Sequence, residues 1–442
     1  TADGRTTRMG YDADGNLIEH INPAGHRTAW DYAGLPLPVL RTNPDSTRFR
    51  YSYDSELNLI GLQNESGEIY ALEYDADERL IGEIGFDGRR QRYHYDAAGH
   101  IIRHEDGHRG HQMTRDAMGR LLLRQCSDGS WASYRFDILG RMTKAENEMR
   151  RVGFVYDARG LVLRERQDGV EIVHTLSLRG ERLTTTLPDG RRIGFGYDQD
   201  SLFDQLSFQG RDVLQLTRDR IGRETLREGG GIGLQTDYDP DGRIERQRAY
   251  RQRRDVPVFG RSYGYDPAGL IRNIRDVARG ERAFQYDSRE QLRRVSGPTR
   301  EIFAFDPAGN ILAGVESPRN ASVVGGRLLM RGDTHYRYDD AGNRIEMRRG
   351  WGGRHVYQLD YDDMNQLTEV RETVGGVNRT TRFAYDALGR RIAKHHREES
   401  APLIAANLAT GEDADDPPDE VDGTGGRPAP MTRLTAEETT WY

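Results

Sequence analysis

A single cysteine, Cys126, in 442 residues excludes an intrachain disulfide and any zinc site built on cysteines. Lysine is nearly as scarce: Lys144 and Lys394 stand alone, so 62 of the 64 cations are arginine. The 71 carboxylates lie interspersed among them and the net charge is −7. The chain therefore carries no basic stripe, and no nucleic-acid partner is expected. No stretch approaches the ~18 uncharged apolar residues of a spanning helix, so no membrane span is expected in this chain. No charged-then-apolar leader follows Thr1; no signal peptide is expected here, and the chain reads as an internal fragment of a longer one. Apolar residues are also few, 35% against a usual ~45–50%, and charged residues reach 31%. Such a balance points toward disorder. The 22 Tyr, 12 Phe and 4 Trp argue against it.

A repeat resolves the conflict. An aromatic-Asp-x-x-Gly element recurs in clear form at Tyr11-Asp12, Tyr95-Asp96, Phe136-Asp137, Tyr156-Asp157, Tyr238-Asp239, Tyr265-Asp266, Phe305-Asp306, Tyr338-Asp339 and Tyr385-Asp386. The closing glycines are Gly15, Gly99, Gly140, Gly160, Gly242, Gly269, Gly309, Gly342 and Gly389. Variants at Trp30, Tyr53, Tyr74, Arg115, Leu176, Tyr197, Arg218, Tyr286 and Tyr361 bring the count to 18 units. From position 74 to 238 every interval is 20 or 21 residues. Chance does not produce that regularity.

One unit shows the chemistry. Asp87-Gly88 is a favoured pair for a tight hairpin turn, because glycine accepts positive φ at no steric cost. Gln91, Tyr93 and Tyr95 then alternate with Arg92 and His94, the period of a strand. Asp96 opens the next turn, where its carboxylate can accept backbone N–H groups, and Gly99 suits the left-handed position that follows a type I turn. His100-Ile101-Ile102 starts the returning strand. Asp106-Gly107, Asp128-Gly129, Asp168-Gly169 and Asp189-Gly190 mark the alternate turn again. The sequence predicts an all-β chain of tandem hairpins, with a hairpin strip winding as a spiral sheet into part of a hollow shell. Each strand supplies two or three apolar groups with arginine or glutamate between, which suits a sheet wetted on both faces. Tyrosine fits there, its ring apolar and its hydroxyl free to stay hydrated. Cross-strand aromatic pairs of ~0.2–1 kcal/mol would accumulate along the strip. A flat or straight β-solenoid without an interior satisfies the composition equally.

The recurring element, from about Thr1 to His396, resembles that of RHS/YD-repeat proteins. The resemblance implies a hairpin strip spiralling into a closed shell, which in bacterial members encloses a toxic C-terminal polypeptide. Such members travel by type VI secretion, as Tc-type toxin complexes, or on Gram-positive surfaces. They typically end the repeats with a self-cleaving Asp-Pro-x-Gly-Leu segment; no such motif is present, so cleavage, toxin and delivery domain are expected outside this chain. The implied partners are the remainder of its own shell, the enclosed toxin, and secretion-spike or chaperone proteins. The implied localisation is secreted, from a Gram-negative cell. The expected organisation is a shell segment over 1–400, an acidic Pro/Gly-rich linker over 401–432, and the start of a further shell strand over 433–442. Ala401–Ala409 is expected as a short helix. Intervals of 27 and 33 residues, from 238 to 265 and from 305 to 338, predict longer hairpins or loops near Arg251–Pro257 and Glu316–Gly326.

Other candidate sites are weaker than their structural readings. His104, His108 and His111 could gather on zinc, but an Asp-Gly turn divides them. His395-His396 with Glu398-Glu399 lacks the helical zinc order. Asp12-Ala13-Asp14-Gly15-Asn16 and Asp239-Pro240-Asp241-Gly242 imitate a calcium loop; counted from Asp12, Leu17 and Pro23 occupy the places that need glycine and glutamate. Arg331-Gly332-Asp333 is a frequent chance tripeptide in such a composition, and Gly229–Gly233 lacks the helix and lysine of a phosphate loop. No catalytic constellation, metal site or cofactor is expected, and an enzyme ranks third. The leading reading is a structural container for a C-terminal effector. The runner-up is an adhesive or glycan-binding repeat surface. An unfinished edge exposes unpaired strand groups, so the fragment alone is expected to aggregate or to oligomerise through its edges.

Overall fold

The computed structural model describes residues 5–251, 257–314, 321–350, 354–400 and 433–441. They form 39 strands, numbered in chain order from β1 (Arg8–Tyr11) to β39 (Arg433–Trp441), with no helix among them. Except between the thirtieth and thirty-first strands, where no pairing among the described residues joins the two sheets, each strand pairs antiparallel with its sequence neighbours, as β1 does with β2 (Leu17–Ile21) and β2 with β3 (Arg27–Tyr32). One sheet holds the first 30 strands and a second holds the last nine. All-β hairpin after hairpin is what the period-two pattern demanded. In β9 (Arg90–Tyr95) exposure alternates residue by residue, with Gln91, Tyr93 and Tyr95 on the more covered face.

The Asp-x-x-Gly turn is a four-residue turn closing a bulged hairpin. The Asp96 N–H donates to the His100 carbonyl at 2.9 Å and the Gly99 N–H to the Asp96 carbonyl at 3.0 Å. Asp96 Oδ1 accepts the N–H groups of Ala98 and His100, each at 2.9 Å. Gly99 sits at φ 82°, the left-handed region that β-branched residues shun. Nothing lies within 4 Å of a Cβ built there, so the cost of a side chain is purely conformational. Gly99→Val is expected to lose about 1–2 kcal/mol, read as a lower urea midpoint. Gly99→Asn, tolerated at positive φ, should recover most of that; equal midpoints for Gly and Val would contradict the strain.

The alternate turns differ from expectation. At Asp87-Gly88 the Gly85 N–H donates to the Arg89 carbonyl and Gly88 N–H to the Gly85 carbonyl. This is the same four-residue turn, not a two-residue one, and Asp128-Gly129 and Asp189-Gly190 repeat it. The glycine closes the turn and the aspartate accepts the N–H two residues on, as Asp87 does from Arg89 at 3.0 Å. Of the Asp-Gly pairs named from the sequence, only Asp168-Gly169 is a two-residue loop with both residues at positive φ, 48° and 92°. Around Asp106 the loop is Gly107-His108, with Asp106 paired to Arg109.

Of the long intervals, the first lengthens its hairpin through β24 (Ile244–Arg251) and β25 (Pro257–Tyr265). The second carries an extra hairpin, β31 (Ala321–Val324) and β32 (Arg327–Arg331). The expected helix at Ala401–Ala409 and the acidic stretch lie outside the described residues. β39 runs along β38 (Arg391–Ser400) from Ala393↔Trp441 to Ser400↔Arg433.

Among the described residues buried apolar side chains are few, eleven, and most are alanine or valine, as are Ala132, Ala145, Val152 and Ala387. The chain exposes 28993 Å², whereas a compact monomer of its mass exposes roughly 17,000 Å². Counting every residue outside the described ones at the ~160 Å² of unfolded chain still leaves an excess. This is a wall one sheet thick, not a packed globule.

Candidate functional site at the turn edges and the seam

Tyr11, Tyr95, Tyr156, Tyr238, Tyr265, Tyr338 and Tyr385 each end a strand. The aspartates that follow, Asp12, Asp96, Asp157, Asp239, Asp266, Asp339 and Asp386, accept backbone N–H groups across their turns. Gly15, Gly99, Gly160, Gly242, Gly269, Gly342 and Gly389 lie at φ between 77° and 89°.

The tyrosine hydroxyls are not left to water. Tyr95 donates to the Leu80 carbonyl at 2.6 Å, Tyr238 to Glu224 at 2.8 Å, Tyr265 to Ile244 at 2.7 Å and Tyr385 to Leu367 at 2.8 Å. Each acceptor carbonyl belongs to the first residue of the strand immediately before the tyrosine's own. Burial pushes the Tyr95, Tyr265 and Tyr385 hydroxyls up, so they stay protonated donors. Where arginine replaces the tyrosine, the guanidinium takes over: Arg115 donates to the Ile101 carbonyl at 2.9 Å and Arg218 to Phe203 at 2.9 Å. Tyr11 differs, its hydroxyl reaching only Met9 Sδ at 3.4 Å. Tyr95→Phe is expected to cost about 1 kcal/mol, seen as a drop in denaturant midpoint; no change would show the hydroxyl to be indifferent.

The residue after the glycine also matters, and the sequence reading passed over it. Arg120, Arg141, Arg223 and Arg243 return Nε to the turn aspartate at 2.6–2.7 Å. Held there, the same guanidiniums stack on the next unit's ring: Arg120 on Phe136, Arg141 on Tyr156, Arg223 on Tyr238 and Arg243 on Tyr265, at 4.4–5.1 Å. Such contacts contribute roughly 0.5–1 kcal/mol each. An arginine or asparagine directly after so many of the repeat glycines was the available signal.

The second structural feature is a seam. Residues far apart in sequence meet where one turn edge of the strip lies against the other. Arg5 pairs with Asp241, Asn22 with Glu290, Arg289 with Glu65, Arg327 with Asp87, Arg109 with Asp339 and Arg390 with Glu165. The separations run from 224 to 268 residues. The strip thus winds back onto itself.

At the centre of the seam Arg109, 4% exposed, lies 2.7 Å from Asp339 and 3.8 Å from Asp363, and also bonds Asn365. Asp106, also buried, is held by Arg89 Nε at 2.7 Å. Asp128 and Asp363 clasp one another: each accepts the other's backbone N–H, at 2.8 and 3.0 Å. Burial pushes Asp128 up, but hydrogen bonds from Ser130 and Asp363 outweigh it and hold the carboxyl below its usual range. Asp339 is likewise held down, its bonds to Asn343 and Arg109 overcoming burial. Burial instead raises Asp362. Beside the clasp, Ala387 packs on Ala132 and Ala145, and Tyr134 donates to the Ala387 carbonyl at 2.9 Å. Small side chains let the turn approach this closely. A cleft of about 480 Å³, lined in part by Trp131, Asp362 and Phe383, follows the seam there.

The remaining sequence candidates sit on hairpins. His104 and His111 face each other across β10 (Ile101–Asp106) and β11 (Arg109–Arg115), ring centroids 5.5 Å apart, and Tyr93 stacks on His104 at 4.9 Å. His108 lies instead in the turn. Among the described residues no three His, Cys, Asp or Glu side chains are grouped to hold a metal. His395 and His396 are neighbours within β38. Gly332-Asp333 and Gly230-Gly231 are two-residue hairpin turns. Asp12 and Asp239 spend Oδ1 on their own turns' N–H groups.

An antiparallel hairpin strip whose opposite turn edges meet in a seam is a spirally wound, repeat-built β wall. A family model of the Teneurin YD-shell matches residues 8–176 and 207–401, and the chain belongs to that family. It is 34% identical over 254 residues to double-stranded DNA deaminase toxin A of Burkholderia cenocepacia, covering 55% of this chain and 17% of that protein. It is 29% identical over 229 residues to toxin protein Tse5 of Pseudomonas aeruginosa, covering 43% and 17%. Among solved structures, it is similar to a chain of the Photorhabdus luminescens Tc holotoxin pore, with TM-score 0.57, 15% identity and coverage of 89% of this chain and 26% of that one. A TcdB2–TccC3 crystal structure gives TM-score 0.58 at 15% identity, covering 89% and 27%. At that identity the likeness shows the fold. The chain spans less than a fifth of these curated relatives. The resemblance read from the Tyr-Asp element and the all-β expectation agree with these findings.

Proposed function

We propose that this chain is a wall segment of a secreted bacterial toxin, enclosing a C-terminal effector until delivery. The observation that carries the reading is the seam: a one-sheet strip that locks onto its own edge through Arg109, Asp128 and Asp363 separates two sides of a wall. Membership of the YD-shell family supports it. So do relatives whose names are those of toxins, of which this chain matches only a part. The chemistry is assigned to segments outside this chain, and the partners to the rest of the shell, the effector, and secretion-spike or chaperone proteins. Delivery from a Gram-negative cell belongs to the same proposal.

Limited proteolysis of the full-length protein tests this. The effector should resist protease while the wall is intact and become digestible when Arg109→Glu opens the seam. An effector cut equally fast in both proteins would end the container reading.

A further inference from the structure

The Tyr-Asp turns carry a recurrent guanidinium site. In five units the arginine after the closing residue, Arg79, Arg120, Arg141, Arg223 or Arg243, sets Nε on the turn aspartate's Oδ2 at 2.6–2.8 Å. Its guanidinium then lies over the ring that ends the next unit's strand, 4.4–5.3 Å from the centroid. Carboxylate and ring together fix the cation, one by charge and the other by stacking.

The unit at Tyr361 keeps the carboxylate and the ring but not the arginine. Asn365 closes its turn at φ 60°, and Gln366 follows. Asp362 Oδ1 accepts the Met364 and Gln366 N–H groups at 3.0 and 2.8 Å, while Oδ2 accepts nothing among the described residues. The Gln366 amide reaches toward Gly389, 3.1 Å from where a Cβ would stand there, and carries no charge. The next unit's ring is Tyr385, and Arg391 lies over Phe383 instead. Asp75 and Asp116 are held low by their arginines, whereas burial pushes Asp362 up.

Asp362 and Tyr385 both line the cleft of about 480 Å³ in the seam, and Trp131 and Glu148 line it from the other winding. Four carboxylates and no lysine, arginine or histidine border it, in a seam whose other contacts pair arginine with acid. Asp128 is taken by Ser130 and the Asp363 N–H, and Asp386 by Arg390. Asp362 and the exposed Glu148 have no ion-pair partner among the described residues. Both sides of the cleft belong to this chain, so no further winding is needed to build it. We propose that this cleft binds a guanidinium group on a short aliphatic stem, the cation on Asp362 Oδ2 and its plane against Tyr385, between the apolar walls of Trp131 and Phe383. A free guanidino compound and an arginine side chain of a polypeptide share that chemistry.

Isothermal titration calorimetry on the full-length protein tests this. Butylguanidinium should bind once per chain with a Kd of about 1 mM, in keeping with its few atoms. Butylurea, of the same shape but neutral, should bind at least about tenfold more weakly. Gln366→Arg supplies a tethered guanidinium and should abolish binding. Asp362→Asn preserves the turn, since Asn22 and Asn64 accept the corresponding N–H through a carboxamide, and should weaken binding at least about tenfold. Far-ultraviolet circular dichroism verifies that both variants keep the strand signal. A capped Gly-Arg-Gly peptide that binds as tightly as butylguanidinium assigns the site to a polypeptide side chain; one bound far more weakly assigns it to a free compound. No binding of butylguanidinium at about 10 mM, equal affinity for the two butyl probes, or binding undiminished in either variant would each overturn the proposal. None of these results bears on whether the wall encloses an effector.

Discussion

Arg109→Ala is expected to loosen the seam by about 3–5 kcal/mol, the cost of removing one partner from a buried ion pair. Arg109 is the hub: Asp339 and Asp363 flank its guanidinium, Asn365 shares it, and Asp106 with Arg89 lies alongside. Without it, Asp339 and Asp363 face each other as buried carboxylates with no cation between them. Hydrogen exchange reads the effect where it arises. The N–H groups of Asp128 and Asp363, which depend on the reciprocal clasp, should lose protection by two orders of magnitude or more. Strand amides far from the seam, such as those of β20 (Phe203–Phe208), should keep theirs. Protection unchanged at Asp128 and Asp363 would show that Arg109 does not hold the windings together.

Acid is expected to unfold the strip steeply below about pH 4. The cause is a column of turn aspartates whose carboxyls are held below the usual range in the folded chain. Asp12 is lowered by the Asn16 side chain, Asp75 by Arg79, Asp96 by the His100 N–H and Asp116 by Arg120. A lowered folded value means that the unfolded chain binds protons first. The stabilisation is therefore complete above the ordinary aspartate value near 3.9 and is lost as pH falls through the folded values. Because the same turn recurs, the losses fall in one narrow window. His104, His111 and His174 are pushed down by burial, so a shallower decline should begin below about pH 6.5. Asp362, raised by burial, runs the other way. Thermal midpoints at stepped pH check this: a flat profile from pH 7 to 3 would show that the turn carboxylates do not contribute.

Much was legible because it is local. The side-chain period of two and a glycine at positive φ are properties of a few neighbouring residues, so Gln91, Tyr93, Tyr95, Asp96 and Gly99 could be read directly as strand and turn. The alternate turn was misjudged for a local reason too. Asp-Gly serves both the two-residue loop at Asp168-Gly169 and the end of a four-residue turn at Asp87-Gly88, and the pair does not distinguish them. The fate of the Tyr95 hydroxyl was not legible, since its acceptor, the Leu80 carbonyl, lies on another strand and any residue supplies a carbonyl. Arg141 lay in plain view after its glycine, but its stacking on Tyr156 depends on how consecutive hairpins are spaced.

By itself the sequence determined an all-β strip of hairpins and the chemistry of its Tyr-Asp turns, because each is decided within a unit by sterics and short-range hydrogen bonds. Only the tertiary structure decided which turn meets which across more than two hundred residues. That match depends on the twist and bulges accumulated over every intervening hairpin, and no short-range pattern in the sequence encodes the sum. Arg109 and Asp363 are one more arginine and one more aspartate in the sequence, and the winding makes them neighbours.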